Sequence, residues 1–182
     1  MAANGNEPSG QLVKRGISVA DILQNPAPLP DELQGLFDLK SWATSLITHE
    51  PYNEPNPEYL SQMLMVQTLT AATIEDVFAQ QSVRKLQEAI PNVPQASTGA
   101  IAINDLYVTS SDFGEGAPCY MIFGAADLET GLFARYSTGA QGLQAQVIRI
   151  LSFGMWPIKC KITRMDNKDK GGRFMFRMFP PD

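Results

Sequence analysis

Apolar and polar positions change their rhythm along this chain, and the changes mark its elements. From Ile101 to Thr109 the run IAINDLYVT is rich in β-branched and aromatic residues, with Asn104-Asp105 interrupting the alternation as a bulge does. Cys119 to Phe123 is a short apolar run, closed by the turn DLETG at 127–131, whose glycine suits a positive φ. Leu132 to Ser137 pairs back on it as a hairpin. Leu143, Val147, Ile150 and Leu151 then recur at i, i+4, i+7 and i+8, so 141–152 reads as an amphipathic helix stopped by Gly154 and Pro157. Ile158, Cys160 and Ile162 alternate with Lys159, Lys161 and Thr163, the period of a strand with one buried and one wet face. After the basic loop NKDKGG, a last strand places Phe174 and Phe176 on one face and Arg173, Met175 and Arg177 on the other, until Pro180 and Pro181 end it.

The first hundred residues follow another rhythm. Residues 1–16 are polar and rich in Gly, Asn and Ser, and NPAPLP at 25–30 is a proline-rich connector, so 1–30 reads as a disordered or linker arm. Residues 31–95 read as an acidic helical region. Asp31 is placed to cap a helix over DELQGLFDLKSWATSLI, and Glu58 to Ala72 carries Tyr59, Met63, Val66 and Thr70 on one stripe. Thr73 to Asp76 reads as a capping box opening a helix through Ile90, with Pro91 and Pro94 behind it. The cluster Met63, Leu64 and Met65 reads as core against the C-terminal unit. For 96–182 the order strand, strand, strand, helix, strand, strand is that of an OB-fold, a five-stranded barrel that binds oligonucleotides or oligosaccharides. The expected fold class is therefore α+β: a C-terminal five-stranded OB-like β-barrel with an N-terminal helical extension.

Charge sharpens the picture by its distribution rather than its sum. The net charge is −5 over 182 residues, yet residues 1–100 hold five Lys/Arg against eleven Asp/Glu, whereas 140–182 hold eight against three. The excess of cations lies on the last two strands and their loop. Single-stranded nucleic acid is held by a cationic groove along its phosphates and by rings on which bases stack. The expected phosphate contacts are Arg135, Lys159, Lys161, Arg164, Lys168, Lys170, Arg173 and Arg177; Phe133, which shares parity with Arg135, and Trp156, in the loop after the helix, are the expected stacking rings.

The chemistry of catalysis is thin. His49 is the single histidine and sits at a helix-to-loop junction; Cys119 and Cys160 lie inside apolar strands with no second ligand near in sequence, so no metal or other cofactor is expected. No nucleotide-loop or metalloprotease motif occurs. Ser137 to Gly142 opens a helix and reads as its cap; as a phosphate cradle it lacks the lysine and glycine spacing of a nucleotide loop. No apolar window reaches the roughly 20 residues of a membrane span, and the start lacks a secretory signal, so a soluble, cytoplasmic protein is expected.

The stretches TIEDVF, SSDFGEGAPCYMIFGAADLETG and STGAQGLQAQVIRILSFGMWPIKCKI, within Thr73 to Phe179, resemble small OB-fold proteins of tailed bacteriophages taken to be single-stranded DNA-binding or replication-associated. The resemblance implies a non-catalytic, sequence-tolerant single-stranded DNA-binding protein of phage replication or recombination, acting in the host cytoplasm. The plan differs from bacterial single-strand binding proteins in that the acidic part comes first. Self-association and capture of a replication protein by acidic helices 31–90 are the expected partnerships besides DNA. The alternative expectation is a phage structural or assembly protein, or an inhibitor of a host enzyme, working through protein–protein interfaces.

Overall fold

The computed structural model describes residues 18–81, 83–110, 117–167, 171 and 173–182. Six strands, β1 (Val83–Lys85), β2 (Ile101–Thr109), β3 (Tyr120–Asp127), β4 (Phe133–Thr138), β5 (Ile158–Asn167) and β6 (Arg173–Phe179), form a curled open sheet in the order β1–β4–β3–β2–β5–β6. Every pairing is antiparallel except that of β1 with β4. Among the described residues six α-helices accompany it: α1 (Val19–Ile22), α2 (Leu39–Thr48), α3 (Tyr59–Leu69), α4 (Ile74–Gln81), α5 (Leu86–Ala89) and α6 (Gln141–Ser152).

The β2 register shifts between Ile103 and Asp105, so Asn104 is the extra residue of the expected bulge. The shift keeps Ile101, Ile103, Leu106 and Val108 on one buried face and turns Asp105 and Tyr107 to the other. Against the first face packs α6, burying Leu143, Val147, Ile148 and Leu151, each worth about 1.5–3 kcal/mol. Gly154, at φ 76°, lets the chain reverse after that helix.

The N-terminal helices share this core. Trp42 is fully buried, sets its ring edge against Phe37 at 5.6 Å, and donates from Nε1 to Gln144 Oε1 on α6 at 2.8 Å. The expected helix from Asp31 is instead a single 3₁₀ turn over Asp31–Leu33, because the chain turns at Gly35 with φ 77°. Helix α2 starts afresh, with the Asp38 carboxylate accepting from Ser41 N at 2.7 Å.

Across the outer face of β2, the Tyr59 ring of α3 lies 5.3 Å from that of Tyr107. Just before α3, the Glu54 carboxylate accepts bonds from the hydroxyls of Tyr107, Thr109 and Ser110 and from Ser110 N. Burial alone would raise the Glu54 pKa, but these donors outweigh it and hold the carboxyl below its ordinary value of 4.5. A lowered native pKa gives stability that is full above the ordinary glutamate range and is lost as pH falls through the native value. Urea unfolding followed downward from pH 6.5 should therefore show a loss of stability below about pH 4.5 that Glu54→Gln removes in part. An unchanged pH profile in that variant would refute the anchoring role.

Two expectations change here. The helix from Thr73 does open with Thr73 Oγ1 accepting from Asp76 N at 3.0 Å, but it stops at Gln81, and Val83–Lys85 pairs in parallel with β4 as a sixth strand. Pairing with the β4 edge is tertiary context, which overrides local helix propensity. The five C-terminal strands do lie side by side, as β4–β3–β2–β5–β6, but β1 takes the β4 edge that closure would use. Among the described residues β1 and β6 are the sheet's two edges. At β6, the Gln146 side chain accepts from Met178 N at 2.9 Å and donates to Met178 O at 3.2 Å, which blunts that edge. The second change is at Met63, Leu64 and Met65, none of which is buried. Met65 is 57% exposed, because α3 turns its other side to the sheet.

Candidate nucleic-acid interface

Period-2 alternation in two paired strands fixes which cations share a face. The β5–β6 register sets Lys161 opposite Phe179, Thr163 opposite Arg177, Met165 opposite Met175 and Asn167 opposite Arg173. With Lys159 one step earlier, these residues make the outer face of the ribbon; Ile162, Arg164, Asp166, Phe174, Phe176 and Met178 make the inner one. Four cations thus fall on a strand face that carries no carboxylate of its own. Lys159, Arg173 and Arg177 are exposed and have no ion pair among the described residues. Lys161 Nζ lies 2.6 Å from Asp182, an exposed pair of the kind worth about 0–1 kcal/mol. An open groove of about 590 Å³ lies over part of this face, with Lys161, Thr163, Met165 and Phe179 on one side, Gln95 and Ser97 on the other, and Asp182, the partner of Lys161, also in its lining.

The remaining expected residues lie elsewhere. Arg135 is 3% exposed and is held by Asp105, Nε to Oδ2 at 3.2 Å, near Tyr59. The β2 bulge aims Asp105 at it, so the guanidinium is an internal counter-ion rather than a surface contact. Phe133 is on the same strand, three strands from β5, with its ring covering Gly124 and the Arg135 guanidinium 4.9 Å from its centroid. Trp156 is half-buried and donates from Nε1 to Glu32 at 2.7 Å, which ties the 3₁₀ turn Asp31–Leu33 to the loop after α6. Arg164 points to the inner face, bonded to Asp166 at 2.9 Å with its guanidinium 4.0 Å from the Phe174 centroid. Lys168 and Lys170 lie outside the described residues. The expected rings are therefore not beside the expected cations. Phe179 is the aromatic residue on the basic face, and the parity it shares with Arg173 and Arg177 would have found it.

A second concavity, a cleft of about 320 Å³, opens where β1 and the end of β4 approach β6. Lys85, Ser137, Gln141 and Phe174 are among its walls. The helix beginning there differs from expectation: no side chain caps α6 at Ala140, and Thr138 Oγ1 accepts only from Ala140 N, at 3.1 Å.

Burial pushes the Cys119 thiol up to about 11 and that of Cys160 up to about 12, so both stay protonated near neutrality. Among the described residues no three His, Cys, Asp or Glu side chains are grouped to hold a metal, and no helix is long and apolar enough to cross a membrane. His49 caps α2 in a left-handed conformation at φ 62° and is exposed. No family model, curated protein or solved structure matches the chain.

Proposed function

We propose that this chain is a non-catalytic, sequence-tolerant single-stranded DNA-binding protein of phage replication or recombination, acting in the host cytoplasm, whose ligand lies along the outer face of β5–β6. The observation that supports the reading is the cross-strand ladder of cations and apolar side chains on one face of β5–β6, with an open groove over its Lys161, Thr163, Met165 and Phe179. Lys159, Lys161, Arg173 and Arg177 meet phosphates, Phe179 stacks a base, and Met165 and Met175 supply apolar contact. Such a face follows a backbone and reads no base edges, which is why little sequence preference is expected. Strands β2–β6 are read here as an OB-like unit whose closing edge is given over to β1, with residues 31–95 as its helical extension.

Fluorescence anisotropy of a labelled oligo-dT of about 30 nucleotides, at two salt concentrations with duplex competitor, tests this directly. Affinity should fall steeply with salt and resist the duplex. Failure to bind at low salt would reject the reading.

A second reading, assembly through protein interfaces, is favoured by one feature. The α3–α4 hairpin exposes Leu69, Ile74 and Phe78 at 70–78%, and residues 41–83 contain no Lys or Arg. Contiguous apolar surface of this kind marks an interface. Acidic and apolar, it complements the basic and apolar β5–β6 face of another copy, a head-to-tail contact that excludes DNA. Sedimentation velocity should then show concentration-dependent association that high salt weakens and Phe78→Asp abolishes. A monomer at all concentrations would dismiss it.

A further inference from the structure

We propose that the cleft between β1 and β6 binds a phosphate monoester, and that in the protein's nucleic-acid complex this is the terminal phosphate of the strand. The second half rests on the DNA-binding reading; the first does not. Helix α6 is twelve residues long and begins at the cleft with its leading amides free: those of Gln141, Gly142 and Leu143 have no acceptor among the described residues. Amides so arranged attract an anion. The independent observation is Ser137. It is 94% buried, being 6% exposed, it lines the cleft, and its hydroxyl has no hydrogen-bond partner among the described residues. The rest of the residue is enclosed while its hydroxyl opens on the cleft, so a phosphate oxygen there can accept from it.

Charge agrees with this. Lys85 stands opposite Ser137 in the β1–β4 register, and among the described residues it has no ion pair and no Asp or Glu lines the cleft. A phosphate there would meet an ammonium, a hydroxyl and a helix terminus from three separate elements. Such convergence supplies the lysine that the segment 137–142 lacks when read as a nucleotide loop.

Geometry holds room for the ligand. An added Cβ at Gly139 would lie 3.0 Å from the Tyr120 ring and 3.2 Å from Ala117 Cβ, so glycine lets the turn before α6 run against that ring. Phe174, 39% exposed, stands on the β6 wall and offers a ring beside the phosphate. The link to the basic groove is the cross-strand pair Met165 and Met175, the first lining the groove and the second lining the cleft. A strand in the groove therefore reaches the cleft by passing around one β-strand.

The test uses the full chain labelled with ¹⁵N, titrated with inorganic phosphate at millimolar concentrations and constant ionic strength. Saturable shifts of the Gln141, Gly142 and Leu143 amides are expected, with affinity falling roughly tenfold in Lys85→Gln and also falling in Ser137→Ala. Both variants should keep the wild-type spectrum elsewhere. Oligo-dT ended by phosphate should bind about tenfold more tightly than the same oligomer ended by hydroxyls, an advantage that Lys85→Gln removes. Absence of phosphate-induced shifts in α6 would overturn the site. Shifts with phosphate, but equal affinity for both oligomers, would overturn the strand-end assignment and leave a free phosphate compound as ligand. Shifts with phosphate and no oligomer binding at all would overturn the DNA-binding reading while upholding the cleft.

Discussion

Trp42→Ala should remove about 3–5 kcal/mol of folding stability, the range measured when a large buried aromatic is truncated. Small domains hold only about 5–15 kcal/mol in total, so the variant is expected to unfold at far lower urea and to lose much of its near-UV signal. The reason lies in what the ring joins. Its edge packs on Phe37 and its Nε1 reaches Gln144, whose amide donates in turn to Cys119 O at 3.2 Å and to Thr138 O at 3.4 Å. Gln144 is itself fully buried, so losing the indole opens a cavity and strips one donor from its oxygen. Trp42→Phe separates the two effects, keeping most of the ring while losing the N–H; it should cost about 1–3 kcal/mol. A loss below about 1 kcal/mol for Trp42→Ala would mean that α2 folds apart from α6.

The same network shows where sequence reading succeeds and where it stops. Alternation of Ile158, Cys160 and Ile162 with Lys159, Lys161 and Thr163 needs no tertiary knowledge, because a strand's period alone assigns its faces, and the faces stand as expected. The Asn104 bulge and the α6 stripe were legible for the same local reason, although Ile148 rather than Ile150 joins the fully buried set. Arg135 was not. Its parity marks it as outward, and only the packing of a counter-ion from β2 turns an outward position into a buried one. Trp156 fails similarly, since its partner Glu32 lies 124 positions away. Val83–Lys85 carries no strand signal of its own and pairs because β4 has an edge to offer. Of the candidate site, the cationic face is readable from periodicity, and so is Phe179, whose parity with Arg173 and Arg177 sets it on that face, whereas Phe133 and Trp156 lie away from it.

Double charge reversal, Lys159→Glu with Lys161→Glu, should reduce single-stranded DNA affinity by roughly 10²–10³-fold at low salt and flatten the salt dependence by about 1.4 in logarithmic slope. The slope follows from losing two cations at about 0.7 each on single strands. Two added carboxylates repel further phosphates, which takes the effect beyond simple neutralisation. Lys161 is already shared with Asp182, so most of the change should come from Lys159, and Lys159→Glu alone should retain the larger part of it. Stability should barely move, since Lys159 is exposed and substitutions at such positions stay within about 0.5 kcal/mol. Two ring substitutions then locate the ligand on the sheet. Phe179→Ala should weaken binding by about 1–3 kcal/mol through lost stacking, whereas Phe133→Ala, on β4 at the far side of the sheet, should leave it unchanged. If Phe133→Ala proves the damaging one and the lysine pair is silent, the strand runs over β3 and β4 instead, and the basic ribbon is free to meet the acidic α3–α4 hairpin of another copy.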